Sequence, residues 1–160
     1  SLMGLTNPST NSYRRLVPGY EAPVSFVFGS GNRSAAVRIP TYARGEETRI
    51  ELRTMDATCN PYLAFAAILL AGLDGIARKL NAKELGFALE AEAYDHTTGE
   101  IAPRSLEEAL DALENDHDYL TAPGAFTEAG LEDWIRAKRQ EAAAVALHPH
   151  PHEFSLYYDL

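Results

Sequence analysis

The spacing of apolar residues changes several times along this chain, and each change marks an element. Over residues 1–24, Pro8, Pro18, Gly19 and Pro23 interrupt every period, which predicts loop. Ser25 to Phe28 and Ala35 to Ile39 read as short strands joined through Gly29-Ser30-Gly31-Asn32, with Pro40 stopping the second. Arg38 lies between Val37 and Ile39 and so projects from the opposite face. Ile50 to Arg53 reads as a third strand, reached through a turn at Gly45.

The period then lengthens. Asn60 can cap a helix, Pro61 suits its first turn, and Leu63 to Leu73 is apolar on nearly every face, the pattern of a helix buried in a core. Arg78-Lys79 complements the dipole at its end. Residues 81–104 read as a polar connector with a turn at Thr97-Thr98-Gly99. Ser105-Leu106-Glu107-Glu108 is a capping box opening a helix to about Asp118. Thr127 caps another, to about Ala146, with Leu131, Trp134 and Ile135 on one stripe. Pro149 and Pro151 stop it, and His152 to Tyr158 reads as an extended amphipathic tail. Its Phe154, Leu156, Tyr157 and Tyr158 require burial, either on their own domain or in a neighbouring subunit.

Composition narrows the class. The 160 residues, 46% hydrophobic and 23% charged, fit one soluble globular domain. The longest apolar run is too short to span a bilayer, and no secretory leader opens the chain. Cys59 is the single cysteine, which excludes an internal disulfide and makes a cytoplasmic location the default expectation. A start at Ser1-Leu2 followed by a turn-rich segment reads as a cut into a longer polypeptide.

The net charge of −9 argues against nucleic-acid and membrane partners, but its distribution is uneven. Up to Arg53 there are seven arginines, no lysine and four glutamates, a local +3, so the remainder carries −12. Arginine without lysine favours bidentate recognition of carboxylate or phosphate. On a strand, Arg49, Glu51 and Arg53 share one face while Ile50 and Leu52 share the other. One carboxylate between two guanidinium groups suits a metal ion beside a phosphorylated substrate. It equally suits a surface ladder of charge pairs.

Several segments in order resemble the C-terminal part of the catalytic domain of prokaryotic type I glutamine synthetases. They are Thr6-Asn7-Pro8 to Tyr13, Arg15-Leu16-Val17-Pro18-Gly19-Tyr20-Glu21-Ala22-Pro23, Asn32-Arg33-Ser34-Ala35, Arg38-Ile39-Pro40, Arg49-Ile50-Glu51-Leu52-Arg53 and Asn60 to Ala67. Leu73-Asp74-Gly75-Ile76 and His150 to Phe154 with Tyr157-Tyr158 complete the series. The resemblance implies an α/β (α+β) fold over 1–160: a partial antiparallel sheet of the glutamine synthetase catalytic barrel packed with helices. Active-site strands, flap loop and core helix would occupy 1–80, a helical segment 81–147 and a C-terminal tail 148–160.

It further implies amidation of glutamate by ammonia, driven by ATP through a γ-glutamyl phosphate. Glu51 matches a ligand of Mg²⁺ or Mn²⁺. Arg53 and Arg33 match arginines that stabilise the transferred phosphoryl group. Arg15 matches the arginine gripping the α-carboxylate of glutamate, and Arg38 and Arg49 match arginines around the nucleotide phosphates and ribose. Glu21 matches a flap glutamate that helps remove a proton from the attacking ammonia. The parent would be a ring-shaped homo-oligomer with the tail as intersubunit anchor.

The sequence departs from the family pattern in three places. Arg53-Thr54-Met55-Asp56 replaces Arg-x-Pro-Asp, Glu46-Glu47 stands where many members are basic, and Tyr94 lacks the Leu-Pro-Pro run of adenylylated members. No adenylylation is expected at Tyr94. The family's other metal ligands lie upstream of residue 1, so this chain alone is expected to be inactive, with Glu51 salt-bridged to its arginines. A related γ-glutamyl-amine ligase and a noncatalytic module that joins synthetase rings are the alternatives. His148, His150 and His152 read as a tail element before a metal site, and Cys59 as a small buried residue.

Overall fold

Leu106, Leu110 and Leu113 recur at the spacing of one helix face, and that face forms the centre of the core. The computed structural model describes residues 1–20, 22–87 and 100–159. Its helices are α1 (Met3–Thr6), α2 (Pro61–Ala77), α3 (Leu106–Asn115), α4 (Asp118–Thr121), α5 (Glu128–Ala146) and α6 (Pro151–Tyr157). Leu106, Ala109, Leu110 and Leu113 of α3 pack with Leu131, Ile135 and Ala142 of α5, Leu120 of α4, and Met3 and Leu5 of α1, all buried. A Cβ on Gly4 would meet the Leu113 side chain at 2.9 Å, so glycine there permits α1 to lie directly on α3. The Trp134 indole N–H on α5 closes this corner by donating to Gly4 O at 3.0 Å.

The expected caps hold these helices. Asn60 Oδ1 accepts from Tyr62 N, Ser105 Oγ from Glu108 N, and Thr127 Oγ1 from Gly130 N, each at 3.0–3.1 Å. The return arm of the box at Ser105 goes one residue upstream, with Glu108 Oε2 accepting from Arg104 N at 2.8 Å. The helix expected to reach Asp118 breaks after Asn115, and α4 begins at Asp118.

Three short strands form one sheet in the order β1 (Phe28–Ser30), β2 (Val37–Ile39), β3 (Glu51–Leu52). β2 and β3 are antiparallel, with Arg38 opposite Glu51 and Val37 opposite Leu52. β1 and β2 are parallel, with Gly29 opposite Arg38, so the sheet is mixed and not wholly antiparallel. β1 also starts later than expected. Residues 24–26 pair instead with 100–102, through Phe26 N to Glu100 O at 2.7 Å and Ala102 N to Val24 O at 2.9 Å. The chain returns from β1 to β2 through Gly31 at φ 70° and Asn32, whose Oδ1 accepts from Ser34 N and Ser34 Oγ. The alternation expected from sequence holds, for Val37, Ile39, Ile50 and Leu52 line an apolar cleft of about 500 Å³ with Met3, Phe28 and Phe87.

Two expectations are corrected. α2 exposes Tyr62, Phe65, Leu69 and Ile76 by 63–85%, and only Ala64 and Ala67 are buried. Among the described residues, the elements packed most closely on it are the one-turn helices α1 and α4, which cover one side of a helix apolar all round. The tail is helical, not extended. His150 Nδ1 accepts from His152 N, Glu153 reaches back to His150 N, and Pro151 fills the first turn. Phe154, Leu156, Tyr157 and Tyr158 remain exposed and do not pack into the core of the described residues.

Candidate active site

The antiparallel register places Arg38 directly opposite Glu51, and their side chains meet: Arg38 Nη1 lies 2.8 Å from Glu51 Oε2. Arg49 approaches the other carboxylate oxygen, with Nε 3.7 Å from Oε1. Arg49 is held by Tyr42, whose hydroxyl accepts from Nη2 at 2.9 Å and whose ring lies 5.3 Å under the guanidinium carbon. The Arg38 and Glu51 side chains are 17% and 28% exposed, while Arg49 is 46% exposed. The buried Nε of Arg38 has no hydrogen-bond partner among the described residues. Glu51 is thus salt-bridged, as expected, to Arg38 across the sheet and to Arg49 on its own segment.

The Arg53 and Arg15 side chains are placed by backbone carbonyls, one of them that of Arg33. Arg53 Nε donates to Arg33 O at 2.8 Å, and Arg15 Nη2 donates to Arg53 O at 2.9 Å. Arg53 N in turn donates to Ala36 O at 2.8 Å, extending the β2–β3 ladder by one bond. Six of the seven site residues read from the sequence therefore fall into two groups on neighbouring segments: Arg38 and Arg49 around Glu51, and Arg15 and Arg33 around Arg53. Glu21 lies outside the described residues, as does Tyr94.

Three contributors were given no role in the site from the sequence. Tyr42 stacks on Arg49, and nothing in its sequence surroundings marks it. Asp56 joins the two ends of the site region. Burial acts to raise its pKa, but hydrogen bonds from Ser12 and Thr58 and the charge of Arg15 outweigh it, and the carboxyl sits below its ordinary value. Asn7 is fully buried and donates to Thr54 O at 2.8 Å. Its own carbonyl accepts from Tyr13 OH at 3.0 Å. Burial first, then the charges of Glu107 and Asp56, push the Tyr13 phenol up, so it stays a donor.

A metal site needs more than this chain's described residues offer. Mg²⁺ or Mn²⁺ takes about six oxygen ligands. No group of three or more His, Cys, Asp or Glu side chains is arranged to hold an ion among the described residues. Glu51 alone, engaged by two guanidinium groups, is not a complete centre. The tail histidines do not converge: His148 Nδ1 lies 2.8 Å from Ala144 O, while His150 caps α6. Cys59 is half-buried, not fully buried as its type leads one to expect.

Comparison with known proteins decides the family. The profile of the glutamine synthetase catalytic domain matches residues 1–157. The chain belongs to the glutamine synthetase catalytic-domain family. The glutamine synthetase of Microchaete diplosiphon is 52% identical over 99% of this chain, and that of Nostoc sp. 51% over all of it. The chain spans about 35% of the length of these relatives. The cryo-EM structure of Plasmodium falciparum glutamine synthetase superposes with a TM-score of 0.81 at 30% identity, covering 98% of this chain and 38% of that one. The ADP complex of GmaS gives 0.80 at 32% identity, covering 99% and 36%. The mixed α/β architecture with a small sheet is that of glutamine synthetase structures.

Proposed function

We propose that this chain supplies the arginine-rich wall of the active site of a glutamate–ammonia ligase, which joins ammonia to glutamate at the expense of ATP through γ-glutamyl phosphate. The observation that carries the reading is the pairing of two arginine groups in one small region of a glutamine synthetase catalytic domain. Arg38 and Arg49 flank Glu51, and Arg15 and Arg33 meet at Arg53.

Transfer of a phosphoryl group spreads negative charge over its oxygens, and fixed guanidinium groups stabilise that charge without reorganising. Arg53 and Arg33 would face the phosphoryl group and the acyl phosphate, and Arg15 the α-carboxylate of glutamate. Arg38 and Arg49 would hold the nucleotide phosphates and ribose. The likeness to the ADP complex of GmaS supports a nucleotide in this role. Glu21 would take the proton that the ammonia nitrogen loses as it bonds to the acyl carbon, and phosphate leaves from that carbon. Glu51 would be one donor to a divalent ion whose other ligands come from outside the described residues. The exposed apolar side chains of α6 fit a subunit contact in a homo-oligomeric ring.

The test is the gene product containing this chain, purified at its natural length and assayed with glutamate, ammonium and ATP·Mg²⁺. Formation of glutamine with equimolar ADP and phosphate is expected. Turnover with primary amines or polyamines but not with ammonium would replace this reading by a γ-glutamyl-amine ligase. Assembly with intact synthetase rings without turnover would make the chain a noncatalytic module.

A further inference from the structure

We infer that Asn7 is a positioning residue for the glutamate-facing half of this site: it fixes the backbone that carries Arg53 and, through it, Arg15 and Arg33. The inference rests on the ligase reading above. Asn7 is fully buried, and its carboxamide does two opposite things. Its Nδ2 donates to Thr54 O at 2.8 Å, and its Oδ1 accepts from Thr6 Oγ1 at 2.9 Å. Aspartate has no donor for the first bond, and alanine supplies neither.

The bond to Thr54 is one of several pins between two segments far apart in sequence. Thr6 O accepts from Asp56 N at 3.0 Å. Beyond these, Arg15 donates to Arg53 O. Residues 6–15 and 53–56 are therefore fastened at both ends, and Arg53 is the shared node. Its carbonyl holds Arg15, its Nε holds the Arg33 carbonyl, and the next carbonyl along is held by Asn7. Arg53 sits just past a strand of two residues, too short to fix the direction of residues 53–56 by itself. Arg38 and Arg49 are held instead by Glu51 and Tyr42, and none of these hydrogen bonds passes through Asn7.

This separation gives the test a signature. In the natural-length protein, Asn7→Asp and Asn7→Ala are compared with wild type for kcat and for the KM of each substrate. The expected result is a glutamate KM raised about tenfold with a lowered kcat, while the ATP KM stays within about twofold. A residue that only supported folding would reduce the active fraction and scale kcat alone. Unchanged parameters, or equal shifts in both KM values, would overturn the inference. Should both variants fail to fold, Tyr13→Phe loosens the same loop by removing the bond to Asn7 O. It is expected to raise the glutamate KM by a smaller factor, about threefold, and no selective shift would again overturn the inference. An inactive wild-type protein would sink the ligase reading and this inference with it. An active wild type with unshifted variants would sink only the latter.

Discussion

Different forces hold the packed pair of helices α3 and α5 and the arginine-bearing segments. In the helix pair, Leu106, Leu110, Leu113, Leu131 and Ile135 are removed from water, and ion pairs such as Arg139 with Asp111 and Glu114 lie on the outside. Around the site, strands of two or three residues carry partly buried charges, and placement comes from single bonds: Asn7 to Thr54 O, Arg15 to Arg53 O, Arg53 to Arg33 O. Apolar burial is additive over many atoms and tolerates small errors in direction. A hydrogen bond to a carbonyl is directional, so it can aim a guanidinium group, but losing one partner loses the aim. Stability sits mainly in the first region, and the second is where we propose the chemistry.

The strongest way to break this contrast is in the helix pair. Leu113→Ala is expected to destabilise the protein by about 2–5 kcal/mol, because the side chain is fully buried beneath α1 and α5. Denaturant unfolding checks it, and a negligible loss would mean that the helix pair is not where stability resides. A smaller effect, of opposite character, is expected at the site. Glu51→Gln should leave the unfolding midpoint nearly unchanged, as losing a partly exposed ion pair does, yet lower ligase turnover by at least about tenfold. Parallel unfolding and steady-state assays of the natural-length protein separate the two.

The smallest effect sharpens the comparison from between the two helices. His117 offers Nδ1 to Leu113 O at 2.9 Å and Nε2 to Glu128 Oε2 at 2.8 Å, so both ring nitrogens face acceptors. The hydrogen bond to Leu113 O is the largest cause raising its pKa. Partial burial opposes it, and Glu128 and Asp118 add to it. A raised folded pKa means that the stabilisation is fully present below the unfolded value, about 6.5, and is lost as pH rises through the folded one. Wild type should therefore exceed His117→Gln in thermal midpoint at about pH 5 and lose that margin by about pH 9. A margin independent of pH would show that the imidazolium plays no part.

How much of this was legible in the sequence depends on how far each signal reaches. Caps act within four residues, so Asn60, Ser105 and Thr127 marked helix starts correctly. The period of two put Arg38 and Glu51 on the face opposite their apolar neighbours, and arginine without lysine pointed to a site for anions. The tail shows a local signal misread. Pro151 in the first turn and Glu153 three residues after His150 mark a helix start, but histidine is an unusual cap.

The sequence by itself determined where α2, α3 and α5 start, the alternation along the strands and the segregation of charge, because each is set by neighbours a few residues apart. Only the tertiary structure decided that β1 runs parallel to β2, that Arg38 meets Glu51, and that Asn7 and Arg15 close on residues 53–54. The side-chain contacts among these join residues 13 to 47 positions apart, and the chain path, not local preference, brings them within hydrogen-bonding distance. Likewise, the pattern of α2 fixed that it needs apolar neighbours, but not that α1 and α4 would cover only one side of it.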